Sequence, residues 1–344
     1  MAHSAMHPPG VRPGREPPKS GRPKVRRACG PTDAPGSSPV LVNLAPMLQQ
    51  FNPANKDIKV YIDGQLLPRE QAKISVFDSS VQGGDAVWEG LRVYDGRVLT
   101  LDAHLDRLFD SAHAMWFQGV PERETVVEAI RQTLEANGMR NDVHIRLTLT
   151  RGIKITSGMD PRLNQQGCTL IVLAEHKPPV YPESITLATS SVRRNSPMSV
   201  DSKIHHNNLI NNIMAKIEAN QAGADAGLML DKDGFVSEAN GVNVFTIRRG
   251  KVRTPYADYC LPGITRATVL ELCERHGIPH QEARISVSEF YVADEVFTTG
   301  TMGELTRVRA IDGRDIVNKH GSSVLDELQK HFRAYTATSG TKLL

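Results

Sequence analysis

The segment "SKIHHNNLINN" (residues 202–212) gathers Lys203, His205, His206 and four asparagines into eleven positions. Three chemistries compete for it. Paired histidines suggest a metal, but neighbours on a helix or strand point in different directions, so His205 and His206 cannot easily face one ion. No H-x-H, H-E-x-x-H or nearby cysteine supplies further ligands, and no metal site is expected. A plainer reading is a polar loop in which Asn207 or Asn208 caps a helix carrying Leu209, Ile210, Ile213, Met214 and Ile217. That reading leaves the lysine unexplained. A lysine before such a helix is a candidate Schiff-base nucleophile. This chemistry also needs a phosphate site for a cofactor and an acid to govern the cofactor's electronics.

The chain offers candidates for each part. "GFVSEANGVNVF" sets Glu238 between two strand-like runs, followed by Asn240, Gly241 and Asn243. Glu238 is either a turn residue or an acid able to hold a pyridine nitrogen. "LPGITRATVLEL" puts Gly263, Ile264 and Thr265 at a helix entry, where free N–H groups and the helix dipole favour a phosphate. "TTGT" (298–301) is a small-residue loop with hydroxyls and close backbone access. Arg107, in "HLDRLFDSA", flanks the apolar stripe of Leu105, Leu108 and Phe109. A surface arginine is the plain alternative there.

Elements to position these residues are legible around them. Residues 1–55 are rich in Pro, Gly, Ser and Arg and read as a disordered tail. Over 57–176 the pattern predicts a smaller α/β unit. It has hairpins about Asp63-Gly64 and Asp95-Gly96, a helix capped by Asp102, a second helix stopped at Gly138, and strands in "VHIRLTLTRG" and "CTLIVLAEH". "KPPVYPES" (177–184) marks a linker. A larger unit follows over 185–335, with a helix over 208–220 and a turn at Asp233-Gly234. Strands and helices do not alternate strictly. The expected class is therefore α/β of the α+β kind, two domains with mixed, largely antiparallel sheets, rather than a doubly wound parallel sheet.

The 344 residues carry a net charge of +3, but the tail holds seven basic residues against two acidic ones, leaving the rest at −2. Aromatics are 5% of the chain. Neither feature points to nucleic acid. No apolar run reaches the roughly 18 residues of a membrane span. The four cysteines, Cys29, Cys168, Cys260 and Cys273, form no C-x-x-C, which favours a reducing, cytoplasmic setting. A basic, acid-poor tail would also suit a mitochondrial transit peptide, although its prolines and glycines would break an amphipathic helix.

In order and spacing, "GDAVWEGLRVYDGRVLTLDAHLDRLFDSA", "SKIHHNNLINNIMAKIEA", "GFVSEANGVNVF", "LPGITRATVLELC" and "YVADEVFTTGTMGELTRVRAIDG" resemble the class IV aminotransferases. These are fold type IV enzymes that use pyridoxal 5′-phosphate. Within them the chain is most similar to the branched-chain group, followed by the D-amino acid group, over most of residues 60–315. The resemblance implies that Lys203 forms the Schiff base and that Glu238 holds the pyridine nitrogen. Arg107, Ile264, Thr265 and Thr301 would bind the phosphate, with Asn243 close to the cofactor. Met302 and Gly303 would line the substrate pocket. It implies transfer of an amino group between an amino acid and a 2-oxo acid by a ping-pong cycle, in a homodimer or larger homo-oligomer. A lyase of the same fold acting on 4-amino-4-deoxychorismate, and a non-catalytic binding protein, are the alternatives.

The chain departs from the branched-chain pattern where that group carries tyrosines: Gly83, His144 and Asn208 stand there. Asn208 would then have to donate the hydrogen bond of a missing phenol. Arg146 is the branched-chain-like candidate for the substrate carboxylate, and Arg151 the D-amino-acid-like one. Salt-bridged strand arginines are the plain alternative for both.

Overall fold

The computed structural model describes residues 49–177 and 183–344. The expected tail up to residue 48, and 178–182 of the expected linker, lie outside the described residues. The end of the tail differs from expectation. Residues Pro53–Asn55 form a single 3₁₀ turn that begins after Asn52, whose side chain accepts from the Ala54 N–H. Asn52 and Asn55 both donate to the His176 carbonyl, and Asn55 is buried. Folded structure thus begins a few residues before 57.

The first half runs β1 (Lys59–Ile62), β2 (Gln65–Pro68), α1 (Ser79–Gly83), β3 (Ala86–Tyr94), β4 (Arg97–Val98), α2 (Leu101–Ala114), α3 (Arg123–Ala136), β5 (Val143–Thr150) and β6 (Thr169–His176). The Asp63-Gly64 and Asp95-Gly96 turns have φ positive at both residues, the geometry that matches the twist of a tight hairpin. The second half runs β7 (Ser184–Thr189), α4 (Ile210–Gln221), β8 (Ala226–Leu230), β9 (Val236–Ala239), β10 (Asn243–Arg248), β11 (Lys251–Pro255), α5 (Ile264–Arg275), β12 (His280–Ala283), α6 (Val287–Tyr291), β13 (Glu295–Gly300), β14 (Glu304–Ile311), β15 (Arg314–Asp315), α7 (Val324–Thr338) and β16 (Thr341–Lys342).

Two sheets result. A seven-stranded sheet in the order β16-β4-β3-β5-β6-β1-β2 is antiparallel throughout, and its edge is completed by the chain's last strand. Leu105, Leu108 and Ala112 of α2 and Ile130 and Leu134 of α3 bury against Leu91, Ile145 and Leu147 of this sheet. A nine-stranded mixed sheet runs β12-β11-β10-β13-β14-β7-β8-β9, with β15 on β14. Its β14–β7, β7–β8 and β11–β12 pairs are parallel. A bridge between Ala239 and Val242 links β9 to β10, so this sheet curls back toward itself. Helices α5 and α7 cover one part of it, packing Leu272, Leu325, Leu328 and Phe332 against the stacked rings of Phe245 and Phe297.

Two capping expectations are corrected. Helix α2 begins at Leu101, so Asp102 falls inside its first turn and pairs with Arg123 instead of capping. Helix α4 begins at Ile210 after Leu209, with no side-chain cap. Asn207 is not available to cap it because its Oδ1 accepts from Arg146 Nη2 at 2.9 Å. Asn208 is exposed and lies against Gly84. No helix among the described residues is long and apolar enough to cross a membrane.

Candidate active site

The loop before α4 is held by a sheet edge. Beyond residue 93 strand β3 is bordered by β4, but over residues 86–88 that edge is open. Residues 205–207 pair along it: Trp88 N–H donates to the His205 carbonyl at 2.9 Å, and Asn207 N–H donates to the Ala86 carbonyl at 2.8 Å. The loop thereby closes one side of a cavity of about 450 Å³ between the two sheets.

One wall comes from the nine-stranded sheet. The β8–β9 hairpin carries Glu238, which is 4% exposed. Its Oε1 accepts from Arg194 Nε at 2.6 Å, and Arg194 Nη1 continues to Asn211. Burial pushes the Glu238 carboxyl above its ordinary range, while Arg194 and the Leu261 N–H pull against that. Asn243, at the start of β10, donates to the Leu261 carbonyl at 2.9 Å and fixes the segment that leads into α5. Helix α5 begins at Ile264 with no side-chain cap among the described residues, and Ile264 and Thr265 of its first turn line the cavity, where free N–H groups are available. A Cβ on Gly263 would fall 2.0 Å from Asn243 Oδ1, so any larger residue here would have to displace the Asn243 amide. The turn between β13 and β14 adds Thr301, Met302 and Gly303 to the same wall.

The other wall comes from the seven-stranded sheet and α2. Behind it, fully buried on the core face of β3, lies Glu89. It accepts from Arg107 Nε (2.8 Å) and Nη2 (2.7 Å), and its two oxygens lie 2.6 Å from His104 Nδ1 and 3.0 Å from His205 Nδ1. Burial alone would raise this carboxyl; His205, Arg107 and His104 more than reverse it and hold it well below the usual range. Arg107 also donates to the Pro262 carbonyl at 3.0 Å, which ties this wall to the entry of α5. Arg107 is therefore no surface residue. Further along, Arg146 lies over the Trp88 ring, 3.5 Å from its centroid, beside His144. Burial pulls Arg146 down to about 10 and His144 down to about 3.

Glu238, Asn243, Ile264, Thr265, Thr301, Met302, Gly303, Arg107 and Arg146 are thus brought together, and two of the expected residues are not. Arg151 lies outside the cavity, saturated by Asp85 (2.6 and 3.1 Å) and by the carbonyls of Met115 and Trp116. Lys203 has its two neighbours, Ser202 and Ile204, in the wall but turns its own side chain outward. Its Nζ lies 3.3 Å from the Asp258 carbonyl and 3.7 Å from Asp201, with 44% of the side chain exposed. Outside, water, the Asp258 carbonyl and the Asp201 carboxylate receive the ammonium. A different lysine, Lys216 of α4, lines the cavity, with Nζ 2.5 Å from the Asp225 carbonyl. The expected role of Asn208 also fails on position, since it does not face the cavity. Among the described residues no group of three His, Cys, Asp or Glu side chains is placed to hold a metal. Burial pushes the thiols of Cys168 and Cys273 up to about 11 and about 12.

Glu89, Arg194 and Trp88 were missed by sequence reasoning. Glu89 had a usable signal: in "AVWEGLRVY" it shares a face with Val87, Leu91 and Val93, and a carboxylate on a core face demands cationic partners.

Comparison with known proteins agrees with this geometry. The family described as Amino-transferase class IV matches residues 86–311. A branched-chain-amino-acid aminotransferase-like protein 2 of Arabidopsis thaliana is 57% identical over 293 residues, 85% of this chain. The chain spans only about half of that relative's length, 52%. A putative branched-chain-amino-acid aminotransferase of Methanocaldococcus jannaschii is 37% identical over 83% of this chain and 99% of its own. Among solved structures, the branched-chain amino acid aminotransferase from Thermobaculum terrenum, in its PLP-form, superposes with a TM-score of 0.72 at 26% identity, covering 82% of this chain and 94% of that one. Sequence, fold and cavity agree, and the chain belongs to the class IV aminotransferases.

Proposed function

We propose that the chain is a pyridoxal-phosphate-dependent aminotransferase that moves an amino group between an amino acid and a 2-oxo acid in two half-reactions, with branched-chain L-amino acids ahead of D-amino acids as donors. One observation carries the reading: a buried glutamate clamped by Arg194 shares a cavity with Arg107 and the uncapped N-terminus of α5. The residues fit the cofactor. The close backbone approach at Gly263, the open N–H groups of α5 and the cation Arg107 form an anion cradle, and Glu238 supplies an acid for a ring nitrogen. When bound, the cofactor supplies an aldehyde that takes up the amino group and a ring that withdraws electrons from the substrate's α-carbon.

The chain's own residues do the rest. Arg107, Thr265, Thr301 and the Ile264 N–H hold the phosphate. Arg194 keeps the Glu238 carboxylate in place, and Asn243 holds the 261–263 wall. Arg146, half-buried with only Asn207 Oδ1 as a polar partner among the described residues, receives the substrate carboxylate. Met302 and Gly303 border the substrate. Lys203 Nζ moves the α-proton after its flexible stem rotates inward from Asp258. Because Arg151 is consumed by Asp85, the D-amino-acid-like site loses its carboxylate anchor, which favours L-amino acids. A second copy of the chain is proposed to cover the apolar face of α4, where Ile210, Ile213, Met214 and Ile217 are 43–67% exposed. Sedimentation of a monomer at micromolar concentration would remove that part.

A half-reaction screen tests the function. Holoenzyme is mixed with single L- and D-amino acids, and loss of the cofactor's visible band is followed. Branched-chain L-amino acids are expected to bleach it fastest. If no amine donor bleaches it, the reading fails. Pyruvate release from 4-amino-4-deoxychorismate without any acceptor would replace it with the lyase.

A further inference from the structure

His205 is set up as a working imidazole, with a geometry that packing alone does not require. Its backbone is fixed on both sides, with the carbonyl accepting from Trp88 N–H and the N–H donating to Ser111 Oγ at 3.1 Å. Its ring lies against Trp88, 4.2 Å between centroids and tilted by 42°. Its Nδ1 is 3.0 Å from Glu89 Oε1, an oxygen that also takes Arg107 Nε. A carboxylate accepts only, so Nδ1 carries the hydrogen and Nε2 is left with its lone pair. The ring lines the cavity, and Nε2 has no hydrogen-bond partner among the described residues. The next residue makes the contrast. His206 also lines the cavity, yet both of its ring nitrogens are sealed from solvent and unbonded, so no ligand reaches them. His205 Nε2 is not sealed in this way.

We propose that His205 is a catalytic residue of this site, its Nε2 accepting a hydrogen bond from a ligand O–H or N–H in the cavity, while Glu89 fixes the tautomer and ties it to the phosphate anchor Arg107. The proposal rests on the pyridoxal phosphate reading above. Its chemistry is that of a carboxylate-backed imidazole, as in hydrolytic triads, which takes a proton at one nitrogen while the other stays tethered. The charged and titratable groups facing the ring are Glu89 from β3 and His104 and Arg107 from α2. Burial lowers the imidazole's pKa and Glu89 opposes that, a balance that favours the neutral, accepting ring. The shared ligand chemistry has two sources, the hydroxyl on the cofactor's ring and the amino group of the substrate.

Two substitutions separate this role from a structural one. An asparagine side chain can donate to Glu89 as Nδ1 does but has nothing at the Nε2 position. His205→Asn holoenzyme is therefore expected to bind pyridoxal phosphate within about threefold of wild type, while its half-reaction slows by about 100-fold, the lower end for a lost acid–base group. His205→Gln, which reaches the Nε2 position, should recover part of the rate and guards against a His205→Asn variant that fails to fold. Histidine nitrogen NMR of wild type gives a readout independent of turnover: the Nε2 signal missing from His205→Asn should move when cofactor is added. The source is read from a cofactor lacking the ring hydroxyl. If the shift persists only after an amino acid is added, the substrate amine is the partner; if it vanishes throughout, the hydroxyl is. The proposal is overturned if His205→Asn keeps the wild-type half-reaction rate, or if the Nε2 signal ignores both cofactor and substrate. Absence of a visible band in wild type would instead remove the cofactor reading itself.

Discussion

The two walls of the cavity are built from different materials. On the nine-stranded side the wall is mostly turns and backbone. The segment 261–265 and the turn at 301–303 pass close to the space, and the polar side chains there are paired within the chain, Glu238 with Arg194 and Asn243 with the Leu261 carbonyl. On the seven-stranded side the wall is large side chains on flat strands. Trp88, His144 and Arg146 stand on it, and Arg146 has no carboxylate partner among the described residues. A wall whose charges are already balanced can hold a constant group rigidly. A wall with a guanidinium that lacks a carboxylate suits a charge brought from outside, because even a half-buried cation gains from a partner. The difference gives most of the proposed cofactor contacts to the first wall, joined by Arg107 from α2, and the proposed contact with the substrate carboxylate to Arg146 on the second.

The lysine between the walls offers the largest test. Lys203 belongs to the loop that bridges them, and Lys216 is the rival amine already inside. Lys203→Ala is expected to lower the half-reaction rate by at least about 1,000-fold, as loss of a positioned proton carrier does, and to remove the visible band of the Schiff base that the lysine would form with the cofactor. Lys216→Ala should leave both nearly unchanged. Exchange of these two results would move the amine to α4 and break the assignment of the loop.

Next in size is the pair that balances the first wall. Arg194→Ala strands a buried carboxylate and should cost about 3–5 kcal/mol of unfolding free energy in denaturant titration. The double variant Arg194→Met with Glu238→Leu should regain most of it, since an apolar pair of similar size needs no compensation. If the single variant is as stable as wild type, Glu238 is not held by this pair and the balanced-wall argument fails.

This pair also marks the limit of what the sequence carried. Glu238, Ile264, Thr265 and Thr301 were legible as candidates because turn and cap chemistry is local: a hairpin, a glycine before a helix and a small-residue turn each write themselves in a few consecutive residues, whereas Asn243, Met302 and Gly303 rested on the resemblance alone. Arg194 was not, because its partner lies 44 residues away, and nothing in "VRRN" says which arginine turns inward. The Asp-Gly hairpins and the α2 stripe were legible for the same local reason. The attachment of β16 to β4 was not, being a pairing across more than 240 residues. Lys203 shows a third case: its position in the chain was legible, but the direction of its side chain follows contacts with Asp201 and the Asp258 carbonyl, the latter 55 residues away.

On the substrate wall the two arginines of "RLTLTR" sharpen the contrast. Arg146→Gln should raise KM for amino acid and oxo acid by about tenfold to 100-fold, the loss of one charge-assisted hydrogen bond, with cofactor affinity retained. Arg151→Gln should leave KM alone and lower the melting temperature instead, since it breaks the link from Asp85 to the Met115 and Trp116 carbonyls. A KM effect at Arg151 with none at Arg146 would reverse the inference on chirality.

The smallest effect concerns His144, the neighbour of Arg146 on the same strand. Its imidazole titrates near 6.5 when unfolded and is pushed down to about 3 in the fold, chiefly by burial and then by Lys177, Arg146 and Arg92. Above 6.5 both states are neutral and the group contributes nothing. Between 6.5 and about 3 the unfolded chain binds a proton that the folded chain refuses, so stability falls as the pH is lowered through this window. From this group alone the protein should be about 2 kcal/mol less stable at pH 5 than at pH 7.5. His144→Gln should flatten that part of the profile, whatever it does to stability at pH 7.5. Parallel profiles for wild type and variant would mean that water reaches His144 in the folded protein. The substrate wall would then be wetter than its burial implies, and the uncompensated charge of Arg146 would need no carboxylate to balance it.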